Sequence, residues 1–471
     1  MIGIDLMAPL MFGLMVLLLL SGFPVGLALM GQSFLFLGLG ILAGYFPSAF
    51  AYNEVLRVYG ITYNDMLLAI PFFTLMGTVL ERSGIAQDLL TSVGELLGAV
   101  RGGLAYAVIL VGTLLAATTG VIQASIIAMG VISLPTMLSR GYQQALSCGV
   151  ITAAGTLAQL IPPSLVLIVM ADATGISVVQ MYERALAPGL ILMAAYFLYV
   201  GVRVRLNPAL APALQSRVPR GAARRALVAL APPLVLIGGT LGSMLAGLAT
   251  PTESGAFGAV AALALAAVRR RLSRSMLREC VDTTLLTSCC ALFILIGANA
   301  FMLPFKGMDG NLWIEGWFAA LPGGTTGFLL AVNALVFVLA FFLDFFEIAF
   351  VVMPLLMPMV LRLGIDPAWF AVLVCVALQT SFMHPPFGVA LYSLRSVAPP
   401  SVGTGAIYRG ALPFVGLQLA VVALLIWQPG LVVHLQEPAP PPMAPAAVDV
   451  LLHSLPHPDV QAVERVPPRA P

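Results

Sequence analysis

Long runs of apolar residues dominate the pattern of hydrophobic and polar positions along the 471-residue chain. A helix that crosses a bilayer needs about 20 apolar residues. Runs near that length, or longer where a helix is broken, predict spans or near-spans at 5–21, 24–44, 63–82, 142–171, 183–202, 226–247, 252–268, 281–303, 369–395 and 407–428. The pattern therefore predicts an all-α polytopic membrane protein.

Two further apolar regions, 102–139 and 325–362, are longer than one crossing and carry polar residues near their centres. The central polar residues are Thr118, Thr119 and Ser125 in the first region, and Asp344 and Glu347 in the second. An apolar run with a polar centre favours two half-helices that meet at a tip. Both regions are therefore predicted to be re-entrant helical hairpins, whose irregular backbone must be buried in protein or line a cavity.

Paired prolines interrupt two of the predicted spans, at Pro162-Pro163 and at Pro385-Pro386. Each pair removes backbone donors and frees carbonyls one turn earlier, so each predicts a broken helix. Sliding the chain by 223 residues superposes the two pairs, and an ungapped window of 32 residues around them then matches at eight sites. Inverted repeats with discontinuous helices are typical of secondary transporters, whose binding site lies where the breaks meet.

Arginine-rich loops orient the predicted spans, because cytoplasmic loops carry an excess of Lys and Arg. Residues 203–225 carry six arginines and no acid, and residues 269–278 carry five more. Both loops are predicted to be cytoplasmic, and both termini are then periplasmic if each hairpin returns to its starting side. The predicted organisation is a first inverted repeat at 1–202 (hairpin 102–139, broken helix 142–171), a cytoplasmic basic loop at 203–225, a second repeat at 226–430 (hairpin 325–362, broken helix 369–395) and a Pro-rich, disordered periplasmic tail at 431–471.

Composition narrows the functional class. Only 9% of residues are charged, 60% are hydrophobic and the mean hydropathy is +1.02, whereas soluble domains carry about 25% charged residues. These values exclude a soluble enzyme and a nucleic-acid-binding protein, and the net charge of +2 gives no reason to expect a polyanionic partner. The chain has no Gly-x-x-x-x-Gly-Lys-Ser/Thr phosphate loop, which argues against ATP hydrolysis by that route.

Both helix breaks offer ligands for a cation. The carbonyls freed before Pro162, together with the hydroxyls of Thr156 and Ser164, are suitable oxygen ligands for a desolvated Na⁺. The second break offers similar candidate oxygen ligands in the stretch from Gln379 to Pro386. The alternative interpretation is that each proline pair merely kinks a helix and shapes the bundle.

The polar residues of the hairpins and of the second break leave several roles open. The hydroxyls near the first hairpin tip could contact an ion or a substrate, or could simply bond across helices. Asp344 could bind Na⁺, take a proton or cap the half-helix that begins near Phe345. His384 could couple transport to protons or could make an ordinary hydrogen bond. Glu253, which follows Pro251, fits a helix-start pattern and is predicted to be mainly structural.

The chain resembles the large membrane subunit of TRAP (tripartite ATP-independent periplasmic) transporters over about residues 7–430. The resemblance rests on stretches in the family's order: ATTGVIQASIIAMGVISLPTMLSRGY, GTLAQLIPPSLVLIVMAD, ATPTESGAFGAV, and FLDFFEIAF with LGIDPAWF and LQTSFMHPPFGVALYSLR. The branch that it resembles is the one often labelled mannitol/chloroaromatic compound transporters.

The resemblance implies an elevator-type, sodium-driven importer in the bacterial inner membrane, with Na⁺ as coupling ion and no other cofactor. It implies two partners, a small four-helix membrane subunit and a periplasmic substrate-binding protein, and a carboxylate as the typical substrate. Carried over to this chain, the family's sodium sites fall on Thr118, Thr119, Ser125, Gly155, Thr156 and Pro162, and on Asp344, Glu347, Gln379, Thr380 and Pro385. The predicted substrate contacts are Ser164, Ser381 and His384.

Two other functions remain open at this point. A stand-alone elevator-type exchanger would share the architecture without the partner subunits. An intramembrane enzyme or assembly factor would need a catalytic dyad, which only Asp344, Glu347 and His384 could supply.

Overall fold

The computed structural model describes residues 4–119, 122–213, 218–319, 321–384 and 388–433. These residues form helices and connecting turns, with no β-strand among them. The all-α fold class is therefore confirmed. The predicted Pro-rich tail from residue 434 onward lies outside the described residues.

The first half of the chain contains ten α-helices within the described residues. They lie at Ile4–Leu20 (α1), Val25–Leu42 (α2), Tyr52–Thr62 (α3), Ala69–Arg82 (α4), Ile85–Leu97 (α5), Gly103–Thr119 (α6), Ile122–Ser139 (α7), Gln144–Thr156 (α8), Leu165–Thr174 (α9) and Val178–Leu206 (α10). Short 3₁₀ turns at Ser48–Ala51, Asp65–Leu68, Leu157–Gln159 and Pro208–Leu210 lie between some of them.

The second half contains eleven α-helices within the described residues. Its described α-helices lie at Ala222–Leu245 (α11), Pro251–Val268 (α12), Arg274–Gly307 (α13), Gly310–Ala319 (α14), Gly324–Leu339 (α15), Phe345–Glu347 (α16), Met353–Arg362 (α17), Pro367–Leu378 (α18), Val389–Val397 (α19), Thr404–Trp427 (α20) and Gly430–Val433 (α21). A π-helical segment, Ile348–Val352, joins α16 to α17, and a 3₁₀ turn, Gln379–Phe382, follows α18.

Both predicted hairpins and both predicted broken helices are present as interrupted helices. The first hairpin consists of α6 and α7, which pack against each other, and the second consists of α15 and the α16–α17 segment. The broken helices are α8 with α9 and α18 with α19. Eight described helices are long and apolar enough to cross a membrane, and the pair Ser48–Thr62 and Asp65–Arg82, bent by 48°, would make a ninth.

Two helices are clearly longer than their predicted spans: α10, Val178–Leu206, extends beyond 183–202 at both ends, and α13 extends mainly at its start. The apolar run 281–303 predicts a single span, whereas α13 begins seven residues earlier, at Arg274, where the Ser273 side chain caps it. The additional turns are polar, and Glu279 in them forms an ion pair with Arg82 at the end of α4. Hydrophobic patterning detects the apolar part of this helix and misses its polar extension.

Most of the extensive helix–helix contacts fall into two groups. In one group, α4 packs against α12 and α13, and α2 packs against α13; in the other, α8 packs against α6, α7 and α20, and α18 packs against α10 and α20. The closest crossings use glycine: a Cβ at Gly297 would overlap the backbone of Gly26, and one at Gly149 would overlap the backbone of Gly410. Small residues let membrane helices approach closely enough to gain van der Waals contact.

Large apolar side chains also cover much of the outer surface. Leu42, Leu248 and Val268 are each more than 80% exposed, and Val235 is 73% exposed. Soluble monomers rarely expose extended apolar patches. These outward faces are therefore suited to lipid, and the chain is an integral membrane protein.

Replacing Gly410 by alanine should destabilise the protein by about 1–3 kcal/mol, the usual cost of overpacking. A Cβ at this position would overlap the carbonyl oxygen of Ala145 and push α8 away from α20. Gly416, on the same helix, has nothing within 4 Å of the corresponding Cβ, so Gly416→Ala is the matched control. Thermal unfolding in detergent should show a lower midpoint temperature for Gly410→Ala and an unchanged one for Gly416→Ala. Equal midpoints for the two variants would show that this crossing is not tightly packed.

Candidate ion and substrate site

The first helix break forms because two consecutive prolines cannot continue the helical hydrogen bonds. The α-helical part ends at Thr156 and tightens into a 3₁₀ turn that ends at Gln159. Neither Pro162 nor Pro163 has an N–H, so the carbonyls one turn earlier lose their helical donors. The Gln159 carbonyl instead accepts a hydrogen bond from Oγ of Ser164 at 2.7 Å. The break therefore holds a backbone oxygen and a serine hydroxyl in contact, in a fully buried segment.

The second break also begins with a 3₁₀ turn, Gln379–Phe382, after α18. After α18 ends, Oγ1 of Thr380 donates to the Ala377 carbonyl at 2.7 Å, and Oγ of Ser381 donates to the Leu378 carbonyl at 2.5 Å. Gln379 is fully buried, and within the described part of the chain neither atom of its side-chain amide has a hydrogen-bond partner. A buried polar group without a partner is costly, so Gln379 is suited to a ligand. Pro385 lies outside the described residues.

The two breaks meet in the interior. Oγ1 of Thr156 donates to Sδ of Met383 at 3.8 Å. The amide nitrogen Nε2 of Gln418, on α20, lies 3.4 Å from that hydroxyl, 3.5 Å from the same sulfur and 2.9 Å from the hydroxyl of Tyr196. These four buried residues are called the break junction below. The junction places the ends of half-helices from both halves of the chain at one point.

The first hairpin packs directly against the first break. A Cβ on Gly155 would overlap the side chain of Ile126, so α8 approaches α7 closely at the residue after Ser125. Ser125 is itself buried. The structure thus packs the hairpin arm that carries Ser125 against α8 at Gly155, and the assignment of these residues to one ion site stays a prediction. Thr118 and Thr119 fall in the last turn of α6, but their side chains lie outside the described part of the structure.

The carboxylates of the second hairpin build the start of its second arm. Oδ1 of Asp344 accepts a hydrogen bond from the Phe345 amide at 2.6 Å, and Oε2 of Glu347 accepts one from the Asp344 amide at 3.1 Å. This reciprocal capping box satisfies amides that a helix start leaves without partners. Of the three roles open for Asp344, the structure shows capping.

The second hairpin meets the second break through aromatic packing. The imidazole of His384 lies 4.0 Å from the ring of Phe341 and 5.0 Å from that of Phe337, centroid to centroid. In the described part of the chain, no hydrogen bond joins Asp344 or Glu347 to Gln379 or Thr380; α16 packs against α13 instead. The structure therefore brings His384 to the hairpin, whereas the two carboxylates form no hydrogen bond with Gln379 or Thr380 among the described residues.

The two threonine hydroxyls at the breaks differ in their remaining bonding capacity. The Thr380 hydroxyl donates to the Ala377 carbonyl and keeps both lone pairs within the described part of the chain, whereas the Thr156 hydroxyl donates to the Ala153 carbonyl and also accepts from Nε2 of Gln418. No carboxylate belongs to the described first-half set of Ser125, Gly155, Thr156 and Ser164. Hydroxyl and carbonyl oxygens around a helix break suit a small hard cation, as they do in other discontinuous-helix transporters.

Two of the residues that hold this region together were not predicted from the sequence. Gln418 and Tyr196 complete the break junction, yet neither belongs to a motif. One signal was available for Gln418, because it is a lone amide inside the apolar helix α20 and polar residues at membrane depth are costly and functional by default.

A polar cavity of about 370 Å³, which was also not predicted, lies beside the second hairpin. Arg57, Asn64, Asp172 and Asn299 line it together with Phe350 of the π-helical segment. The Asn64 amide donates to the Asp172 carboxylate at 2.7 Å, which ties the loop after α3 to the end of α9.

A helical membrane protein with two broken helices that meet in its core has the architecture of a secondary transporter. Residues 12–431 match the family model described as the tripartite ATP-independent periplasmic transporter, DctM component. This match covers most of the chain, and the chain belongs to that family.

Curated relatives agree with this assignment. The chain is 31% identical to the C4-dicarboxylate TRAP transporter large permease protein DctM of Pseudomonas aeruginosa over 77% of its length and 84% of that protein. It is 28% identical to the isethionate TRAP transporter permease protein DctMQ of Oleidesulfovibrio alaskensis, over 90% of this chain and 65% of that longer protein. The ectoine/5-hydroxyectoine large permease protein UehC of Ruegeria pomeroyi is 27% identical over 92% of this chain and 99% of that one. The chain is thus a transporter permease subunit rather than an enzyme.

A solved structure also shares the fold. The crystal structure of the YdaH transporter of Alcanivorax borkumensis superposes with a TM-score of 0.56 over 81% of this chain and 88% of the other. At 16% sequence identity, this likeness concerns the fold alone.

Proposed function

We propose that the chain is the large permease subunit of a sodium-driven importer that receives a small organic acid from a periplasmic binding protein and carries it across the bacterial inner membrane. The observation that carries the proposal is the break junction, where Thr156 and Met383 bring two interrupted helices together in the core. Uptake by proteoliposomes that contain the chain with its cognate partners tests it. The alternative, a stand-alone elevator-type exchanger, requires uptake by the chain alone.

The partners and the substrate class are proposed because the chain belongs to this family. Its description as tripartite supports a small four-helix membrane subunit and a periplasmic substrate-binding protein as the two further components. The curated relatives are named for C4-dicarboxylate, isethionate and ectoine, so membership alone does not select one substrate. A carboxylate is the proposed class, with Ser164, Ser381 and His384 as its contacts.

One sodium site is proposed at each helix break. The first uses the oxygens of Ser125 and Thr156 and backbone carbonyls between Gly155 and Pro162, with Thr118 and Thr119 from the hairpin tip. The second uses Gln379, Thr380 and the backbone before Pro385. The unpartnered amide of Gln379 supports this site, because its oxygen can ligate a cation without giving up an existing hydrogen bond.

The role proposed for Asp344 beyond capping is to supply negative charge near the second site. Asp344→Asn keeps an N-cap of equal quality and removes that charge, so the protein should fold normally while half-maximal uptake requires more sodium. Asp344→Ala, which also removes the cap, should lose about 1 kcal/mol of stability. An Asp344→Asn variant with an unchanged sodium response would restrict this residue to capping.

The proposed domain organisation is two inverted repeats with both termini in the periplasm. Ion pairs support placing the basic loops at one end of the molecule: Arg225 lies 2.7 Å from Glu95 and Arg269 lies 3.2 Å from Asp88, so both loops reach α5. The positive-inside rule makes that end cytoplasmic.

Cysteine labelling tests this orientation at two exposed serines. Ser48, between α2 and α3, should be periplasmic, and Ser401, between α19 and α20, should be cytoplasmic. In a background without the five native cysteines, a membrane-impermeant maleimide added to spheroplasts should label Ser48→Cys and spare Ser401→Cys until the membrane is opened. The reverse pattern would invert the topology.

A further inference from the structure

A groove of about 760 Å³ opens between the beginning of α6 and the end of α10. Along α10 its lining changes from apolar to basic within three turns. The lining residues on this helix are Phe197, Leu198, Gly201, Val202, Val204 and, in the last turn, Arg205. Arg101, just before α6, lines the same groove. The groove therefore has an apolar wall that leads to two positive charges.

Neither arginine is neutralised within the described part of the chain. Arg101 and Arg205 are exposed, and no ion pair or side-chain hydrogen bond involves them there. Arg225 and Arg269, by contrast, pair with acids on α5. The two arginines thus offer uncompensated charge to an anion.

Two stacked aromatic rings form part of the wall of the groove, and apolar side chains are exposed beside them. The rings of Tyr106 and Phe197 stack at 5.6 Å with an interplanar angle of 13°. A Cβ at Gly201 would lie 3.2 Å from the Tyr106 hydroxyl, so a larger side chain there would crowd that wall. Leu198 and Val202 are 69% and 47% exposed beside it.

We propose that this groove binds an anionic phospholipid. Its phosphate lies between Arg101 and Arg205, because guanidinium groups bind phosphate through charge-assisted, often bidentate hydrogen bonds. One acyl chain follows Leu198 and Val202 along α10, where it covers apolar surface next to the stacked rings. Basic pockets between membrane helices bind anionic headgroups in this manner. Because the groove is separate from both helix breaks, the inference does not depend on the sodium sites.

Native mass spectrometry of the delipidated full-length chain in detergent tests the site. Phosphatidylglycerol should bind at least tenfold more tightly than phosphatidylcholine with the same acyl chains. Arg101→Gln and Arg205→Gln should each weaken phosphatidylglycerol binding about fivefold. Arg409→Gln, which removes an exposed arginine on α20, is the matched control and should leave binding unchanged.

Two further measurements distinguish the binding of an intact lipid from the binding of a free phosphate ion. Gly201→Leu keeps both arginines and crowds the apolar wall, so it should also weaken phosphatidylglycerol binding, whereas inorganic phosphate should fail to displace the lipid at equal concentration. Equal binding of phosphatidylcholine, or an unchanged affinity in both arginine variants, would overturn the proposal. Displacement by inorganic phosphate would also overturn it, since the site would then hold a free anion.

Discussion

Proteoliposomes that contain this chain alone should take up substrate at the background rate, even with an inward sodium gradient. The described residues of the family region form one helical unit embedded in the membrane, and the proposed importer depends on a separate protein to capture substrate. A loaded binding protein that docks on the permease presents its substrate at a high effective concentration. This should raise the rate of substrate delivery on the order of 100-fold or more. Addition of the cognate small subunit and loaded binding protein should therefore raise uptake by about that factor.

The substrate for this experiment is the carboxylate that most stabilises the cognate binding protein in a thermal-shift screen. A binding protein mixed with an excess of a non-cognate permease serves as the control for leakage. Strong uptake by the chain alone would favour the stand-alone exchanger and remove the need for partners.

Sodium should stabilise the purified chain against heat, and loss of a ligating hydroxyl should weaken that effect. A ligand at 100 times its dissociation constant adds about 2.7 kcal/mol of stability. Thr380→Val removes a hydroxyl whose lone pairs face no other donor in the described structure, and Thr156→Val removes the corresponding hydroxyl at the first break. Since a lost hydrogen-bonding partner costs about 1–3 kcal/mol, each variant should require roughly 5- to 150-fold more sodium for half-maximal stabilisation.

A matched control lies one turn earlier on α8. Thr152 is equally buried, and its hydroxyl donates to the Cys148 carbonyl at 3.0 Å, but it lies outside the break. Thr152→Val should change the melting temperature without changing its dependence on sodium at constant ionic strength, with choline as the replacement cation. A sodium dependence that is equally weakened in Thr152→Val would place the ion elsewhere.

The local features of the fold follow from residues whose chemistry acts within a few positions. Pro162 and Pro163 interrupt α8 and α9 because they have no amide to donate, so the break could be predicted without knowing its neighbours. The helix start at Pro251 was predictable for a similar reason: Glu253 accepts a hydrogen bond from the Thr250 amide at 2.8 Å, in a capping box. Asp344 caps α16 by the same local chemistry.

Contacts between distant segments could not be predicted in this way. Gln418 reaches Thr156 across 262 residues of sequence, and apolar periodicity does not specify which helix faces which in lipid. The π-helical segment after Glu347 likewise lacks a local signature. The candidate residues were thus identified by type, whereas their partners became known only from the packing.

The central claim is that sodium, rather than protons, drives the movement. The first break carries only hydroxyls, an amide and carbonyls, which cannot form a proton relay; at the second break, His384 is the titratable side chain that the described structure brings close. The direct test is uptake by the reconstituted complex under a sodium gradient at fixed pH, and then under a pH gradient without sodium. We predict uptake that saturates with sodium and is near background under the pH gradient alone. Full-rate uptake driven by the pH gradient without sodium would contradict the account and make His384 the coupling residue.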